Sequence, residues 1–402
     1  MSVQLSEHQI NLINKIAEEE GFSDFTVVAT PGSCKGDNYM GVITTVRVKD
    51  STRKLDLILK SALDSGALRK MAPIRKVFLR EIYVYKTVFP ALEEFQRSRG
   101  LLEGFSGHAK LYGTVTEEPN ECLVLENLKE AGYRLWNRKI PMDPDHVRMV
   151  LEEYGRLHAV SFAMKEKEPE RYEEMTDGMA NVFTDMDPIE ATAVMKGCMA
   201  NGFNAIEGHP EAVEAFERFN GVVEKFLMEE LKEPEEKSVL VHGDCWCNNL
   251  LFKYEDAQDT RPTKVCLIDW QLSWTGSPAL DLAYFLMTCA PKQILSDYKE
   301  YLRVYHGALS QALRGLQCDA ETLFPFDLLE QHWRKYAKYG IYLALIVVKL
   351  MLGDAEEVPD IVEIADGGKT FSDGFKFDIN SCDSYNRRIL DIVLVSADNG
   401  WI

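Results

Sequence analysis

Near residue 130 the apolar patterning of this chain changes from a period of two to a period of 3.6, so a sheet-bearing segment must give way to a mainly helical one. Before the change, Val42, Thr44, Val46 and Val48 alternate with Ile43, Thr45, Arg47 and Lys49. After the polar turn Asp50-Ser51-Thr52-Arg53, a second alternating run extends from Leu55 to Lys60, which predicts a hairpin with Lys60 at its far end. Leu111 to Val115 and Cys122 to Leu125, separated by Glu117-Glu118-Pro119-Asn120, predict another. Between them, Ile74, Val77, Phe78, Val84, Tyr85 and Val88 form one buried stripe on a helix running from about Ile74 to Phe95. Glu81 falls inside that stripe, where a carboxylate is costly unless it meets a cation or hydrogen-bond donors. It either has a dedicated partner in the fold or reaches the stripe's edge and is solvated.

Beyond residue 140 helical spacing prevails. Val147, Val150, Leu151, Tyr154 and Leu157 mark a helix from Asp143 to Ala163, with Asp143 before Pro144 as its start signal, and Met- and Glu-rich helical stretches continue through 165–235. Short β-like pieces return at Val239 to Val241, Leu250 to Phe252 and Val265 to Ile268. The apolar run Gly340 to Val348 reads as a buried helix, since a membrane span needs roughly 20 residues. The class is α+β. No repeat or Gly/Ser linker marks a boundary, so the patterning places it: residues 1–128 as a β-rich lobe and 129–402 as a mainly helical one.

The strand island inside the helical region carries the chemistry. His242-Gly243-Asp244-Cys245-Trp246-Cys247-Asn248-Asn249 is held between two apolar strands. Asp244 and Asn249, five positions apart, can face one site from such a loop, one as a proton acceptor and the other as a neutral oxygen ligand for a hard cation. Val265-Cys266-Leu267-Ile268-Asp269 then puts a carboxylate at the mouth of a buried strand, a position suited to binding Mg²⁺.

These residues resemble the protein-kinase-like fold, in particular its small-molecule branch of choline kinases and aminoglycoside phosphotransferases. That fold is bilobal, and the resemblance implies that Asp244 is the catalytic base, that Asn249 and Asp269 hold Mg²⁺, and that Lys60 binds ATP phosphates with Glu81 as its helix partner. The segment Gly32 to Gly41, on its own readable as a bare turn, then takes the place of a phosphate-covering loop, with Gly36, Asp37 and Asn38 at the nucleotide. Glu126 and Leu128, in Leu123-Val124-Leu125-Glu126-Asn127-Leu128, take the place of the hinge whose backbone pairs with adenine. Asp281 and His242 are expected to support the loop rather than to react. An Asp opening a helix at the place of Asp281 accepts backbone hydrogen bonds from the catalytic loop in this fold.

Four stretches narrow the resemblance to the ecdysteroid-kinase-like family. They are Lys35-Gly36-Asp37-Asn38-Tyr39, Glu126-Asn127-Leu128, His242-Gly243-Asp244-x-Trp246-x-Asn248-Asn249, and Ile268-Asp269-Trp270-Gln271 with Gly276-Ser277-Pro278-Ala279-x-Asp281-Leu282-Ala283-Tyr284. Trp270 stands where that family often has Phe. The resemblance implies ATP-dependent phosphorylation of a hydroxyl on an ecdysteroid or another small, often foreign molecule, with steroid-like acceptors favoured. A choline-, aminoglycoside- or sugar-type acceptor remains open, as does a non-catalytic nucleotide sensor. Residues 270–280 are too few for the long segment on which protein kinases dock peptides, which favours a small-molecule acceptor and leaves no protein partner evident.

Charge excludes other classes. The chain has 45 Lys+Arg against 64 Asp+Glu, a net charge of −19, and no basic face that would track a phosphate backbone or an anionic membrane. Leu5, Ile10, Leu12, Ile13 and Ile16 alternate with polar residues without forming a signal-peptide core, and the nine cysteines, an odd number, fit free thiols in a reducing compartment, so the cytosol is expected. His242, Cys245 and Cys247 lack the paired spacing of a zinc site. His158, on the apolar stripe of its helix, is expected to be a satisfied core histidine.

Overall fold

The computed structural model describes residues 3–32, 41–184, 186–255, 258 and 260–402. Its N-terminal part is a five-stranded antiparallel sheet of β1 (Thr26–Pro31), β2 (Gly41–Lys49), β3 (Lys54–Ala62), β4 (Leu111–Val115) and β5 (Cys122–Glu126), in the order β1-β2-β3-β5-β4. The pleat sorts the residues of β3. Leu57 and Leu59 turn to one face, where they join Val46, Val48, Cys122 and Val124 under Ile13, Ile16 and Ala17 of α1 (Glu7–Glu19). Lys60, next along the strand, is thereby turned to the opposite face.

Both predicted hairpins are present, and Asp50 shapes the first turn by accepting from the Thr52 and Arg53 amides at 2.7 and 2.9 Å. Among the elements not foreseen are β1 and α1, whose start is a reciprocal cap in which Ser6 accepts from the Gln9 amide while the Gln9 side chain accepts from the Ser6 amide.

After α2 (Gly66–Met71), the helix expected over 74–95 begins as α3 (Ile74–Tyr83). It passes through one π-helical segment (Val84–Val88) and continues as α4 (Phe89–Ser98). The predicted stripe is buried throughout, with Ile74, Val77, Phe78, Val84, Tyr85 and Val88 all inside. α5 (Pro144–Lys167) starts where expected, Asp143 accepting from the amides of Asp145 and His146 at 3.0 and 3.1 Å, and runs four residues past Ala163.

The later strands form two small sheets: β6 (Tyr133–Leu135), β8 (Leu250–Lys253) and β9 (Lys264–Leu267) in one, and β7 (Val239–Val241) with β10 (Trp274–Gly276) in the other. The rest is helical, including Pro278–Cys289 and the long Phe326–Leu352, which contains the buried run foreseen over Gly340–Val348. Among the described residues no helix is long and apolar enough to cross a membrane. One apolar core extends from α3 and α4 through these helices to Trp401.

Candidate active site

β3, α3 and the turn after β9 meet at one lysine. Lys60 Nζ donates to Glu81 Oε2 at 2.7 Å and to Asp269 Oδ1 at 2.6 Å, although Lys60 and Asp269 lie 209 positions apart. Glu81 therefore has the dedicated partner its place in the stripe called for, and at 1% exposure it is not solvated. Its second oxygen, Oε1, accepts from the Trp270 amide at 3.2 Å. Burial pushes the Lys60 ammonium down, but the carboxylates of Asp269 and Glu81 outweigh it and hold the group above its ordinary value.

Asp269 takes a left-handed conformation, φ 67° and ψ 64°. That conformation ends the strand one residue earlier than expected. The Ile268 amide donates to the Asn249 carbonyl at 3.0 Å, one step on in the β8–β9 register, tying the carboxylate-bearing turn to the 242–249 loop. Trp270 is fully buried, its indole Nε1 donating to the Leu267 carbonyl at 3.0 Å while its ring packs edge-on to Phe89 and over His242.

The 242–249 loop is fixed from below by Asp281, in the first turn of the helix Pro278–Cys289. Asp281 Oδ2 accepts from the His242 amide at 2.7 Å and Oδ1 from the Gly243 amide at 3.0 Å. The Cys245 thiol donates to Oδ1 at 2.9 Å, and His158 Nε2 lies 3.3 Å from Oδ2. Burial pushes Asp281 up, yet His158, His242 and these donors together hold it below its ordinary value, as a carboxylate. His158 is the satisfied core histidine expected, its Nδ1 3.0 Å from the Tyr305 hydroxyl, and its contact with Asp281 adds a link that the helical stripe did not reveal. His242 is neutral: burial pushes it down, its Nδ1 accepts from the Asp244 amide at 3.2 Å, and its Nε2 donates to the Ile268 carbonyl at 3.0 Å. Gly243 makes the turn at φ +82°, where a Cβ would lie 2.2 Å from the Leu272 carbonyl oxygen.

Held this way, the half-buried Asp244 receives one donor on each carboxylate oxygen. Tyr284 OH donates to Oδ1 at 2.8 Å and Asn249 Nδ2 to Oδ2 at 2.8 Å. Burial, with a smaller push from Asp269, raises the Asp244 carboxyl to about 7, against the pull of these hydrogen bonds. Tyr284 was legible in the sequence only as a letter beside Asp281. Its ring stands edge-on to Tyr339, 6.5 Å between centroids, on the helix Phe326–Leu352, which keeps Tyr339, Tyr342, Leu343 and Ile346 half-buried.

The donor set suits a hard divalent cation. Asn249 turns its Nδ2 to Asp244, which leaves its carbonyl Oδ1 free to ligate, and of the three carboxylates Glu81, Asp244 and Asp269, Lys60 pairs with Glu81 and Asp269, an excess of two negative charges over the one lysine when all are ionised. At the expected hinge, Glu126 ends β5 opposite Leu57 and the Asn127 amide donates to the Asp56 carbonyl at 3.2 Å. The Leu128 carbonyl accepts from Ala131 and Tyr133 at 3.1 and 2.9 Å, so the backbone at 126–128 is braced on both sides. Gly36, Asp37 and Asn38 lie outside the described residues.

A model described as the ecdysteroid kinase-like family matches residues 35–318. Two curated relatives, both 4-hydroxytryptamine kinases, are similar over a short stretch. That of Psilocybe cyanescens is 40% identical over 68 residues and that of Psilocybe cubensis 36% over 67, each stretch being 17% of this chain and 18% of the relative. The chain thus spans less than a fifth of the length of these relatives. Among solved structures, the GDP complex of wild-type aminoglycoside 2'-phosphotransferase-IIIa is 10% identical, with coverage of 98% of this chain and 100% of that one, at a TM-score of 0.45. Glucosamine kinase in complex with glucosamine, ADP and inorganic phosphate is 11% identical, covering 99% and 84%, at 0.35.

Proposed function

This chain belongs to the ecdysteroid kinase-like family, and from its site we propose that it transfers the γ-phosphoryl group of ATP to a hydroxyl of a small molecule. The observation that carries the reading is Lys60, gripped by Glu81 and Asp269, beside a loop that presents Asp244 and Asn249 together. Asp244 is the base: hydrogen bonds from Tyr284 and Asn249 fix its plane, and it takes the proton of the acceptor hydroxyl as the oxygen attacks phosphorus. The Lys60 ammonium, released from one carboxylate when phosphate arrives, neutralises charge on the phosphate oxygens. Asn249 and Asp269 hold Mg²⁺, which when bound supplies charge neutralisation and orientation of the phosphates. Residues 126–128 receive adenine, the loop containing Gly36, Asp37 and Asn38 covers the phosphates, and His242 and Asp281 keep the Asp244 loop in shape. Nucleotide is held chiefly by residues 1–128 and the acceptor by 129–402, in the cytosol, where the buried thiols stay reduced.

The acceptor is a hydroxyl-bearing apolar ring system, an ecdysteroid or a related foreign molecule. Supporting this, the groups beside Asp244 are the rings of Tyr284 and Tyr339, continued along the same helix by Tyr342, Leu343 and Ile346, surfaces that suit rings better than polycationic sugars. The test is mass spectrometry of reactions with Mg·ATP and a panel of polyhydroxylated steroids, hydroxyindoles, choline and amino sugars. Product formed by the wild type and lost about 10²–10⁴-fold in Asp244→Asn supports the base assignment, and the panel member phosphorylated names the acceptor class. Undiminished turnover by Asp244→Asn overturns the mechanism.

A further inference from the structure

Arg80, next to Glu81, has no role in the reading above, yet it is as unusual a residue to find buried. Its exposure is 8%, burial pushes its guanidinium below the ordinary value, and among the described residues its hydrogen bonds go to backbone carbonyls alone. Nη2 donates to Gly178 at 3.0 Å, and Nη1 to Ala180 at 3.1 Å and to Ser273. A buried cation without a carboxylate is costly to keep, and three carbonyl dipoles offset that cost only while they stay where they are.

Two of the three carbonyls lie on the 178–180 segment. The third, Ser273, closes the short turn that opens at Asp269 and Trp270. Glu81 accepts from the amide at the start of that turn, Trp270, and Arg80 donates to the carbonyl at its end. Consecutive residues on one helix, about 100° apart around its axis, therefore clamp both ends of a four-residue turn, one as acceptor and one as donor. A helix gripped at one point can still roll. Gripped at two, it cannot roll without breaking one of them, and rolling is the motion that would carry Glu81 away from Lys60.

We propose that Arg80 is a positioning residue for phosphoryl transfer: by docking α3 onto Ser273 and the 178–180 segment it holds Glu81, and through it Lys60, in register with Asp269. This rests on the kinase reading given above. Lysine is no substitute, because a single ammonium lacks the planar fork that reaches three carbonyls at once.

The test compares wild type, Arg80→Met, Arg80→Lys, Glu81→Gln and the Arg80→Met/Glu81→Gln double variant. Arg80→Met should raise the Kd for Mg·ATP and lower turnover, together by roughly a hundredfold, the scale on which a misplaced group costs activity, and Arg80→Lys should recover little. The Trp270 amide should lose hydrogen-exchange protection in Arg80→Met, while core amides of the helix Phe326–Leu352 keep theirs. The double variant should be no worse than Glu81→Gln. Arg80→Met with wild-type Mg·ATP affinity and turnover, or losses that multiply in the double variant, would overturn the proposal and leave the kinase reading standing. Should Arg80→Met fail to fold, Arg80→Lys carries the same comparison, and full activity there overturns the proposal equally. A wild-type protein that binds no Mg·ATP overturns the kinase reading, and the proposal with it.

Discussion

Replacing Asp281 by Asn changes one heavy atom in the interior and should cost the protein roughly 1.5–3 kcal/mol. The carboxylate is 1% exposed and accepts two donors on each oxygen: the His242 amide and His158 on Oδ2, the Gly243 amide and the Cys245 thiol on Oδ1. An amide of the same shape keeps one oxygen and turns an NH₂ group towards the other pair of donors. If the NH₂ replaces Oδ1, the Gly243 amide and the thiol lose their acceptor. If it replaces Oδ2, the His242 amide does, while His158 can answer by changing tautomer. Hydrogen bonds to a charged group are worth about 1.5–3 kcal/mol each, so the second orientation, which strands the His242 amide alone, is the cheaper one and costs roughly 1.5–3 kcal/mol, against roughly 3–6 for the first. The assay is urea denaturation followed by circular dichroism, with hydrogen exchange at the His242 and Gly243 amides reporting where the loss is felt. Because Asp244 directly follows these amides, turnover should fall roughly a hundredfold or more. A destabilisation below about 1 kcal/mol, with both amides still protected, would refute the view that this carboxylate builds the loop.

Three further outcomes are expected. Tyr284→Phe removes the donor on Asp244 Oδ1 and should lower turnover about tenfold, the value of one hydrogen bond to a charged group, with Mg·ATP affinity unchanged by calorimetry; equal losses in both would assign Tyr284 to nucleotide binding. Gly243→Ala must place a side chain at φ +82° with its Cβ 2.2 Å from the Leu272 carbonyl, so its melting temperature should drop by the equivalent of more than about 2 kcal/mol; an unchanged melting temperature would contradict the rigid turn. Asp50, held down to about 2 by the Thr52 and Arg53 amides, has a folded-state value below its unfolded one. The stability it lends the first hairpin is therefore complete above about pH 4 and lost as pH falls through about 2; an NMR titration giving an ordinary carboxylate value would exclude that cap.

The parts of the site that announce themselves in the sequence are those whose chemistry conflicts with their surroundings. Glu81 inside an apolar stripe calls for a cation or hydrogen-bond donors, and Lys60, two residues from the end of β3, supplies the cation. Asp244, Asn249 and Asp269 cluster in short loops between apolar strands, where side chains have few directions open to them. What was not legible depends on contacts between distant segments. Tyr284 and His158 sit on helix faces that look ordinary for core residues and Arg80 reads as a surface arginine, and only the packing of those helices shows that Tyr284 meets Asp244, Arg80 meets Ser273 and His158 meets Asp281. The ends of elements were missed for a local reason: β9 stops at Leu267 because the next residue but one is left-handed, a conformation Asp tolerates better than most side chains but does not dictate. β1, with Val27, Val28 and Thr30 among its residues, did carry a strand signature, blurred because its outer face is exposed.

The π-helical segment between α3 and α4 gives this stripe a meaning that spacing alone conceals. Along the sequence the buried positions keep the same steps of three and four from Ile74 to Phe95. A π turn, however, takes up more residues per revolution than an α turn, so over Val84–Val88 the same spacing falls behind by roughly a quarter revolution. The first half of the stripe looks towards β3 and the Trp270 backbone; the second packs on α5, with Phe89 reaching Phe105 and the edge of the Trp270 ring. One amphipathic pattern thus serves two compass bearings. Removing a single residue from that segment would restore a regular helix and set the two halves at odds, so that either Glu81 or Phe89 could face its partner, but not both.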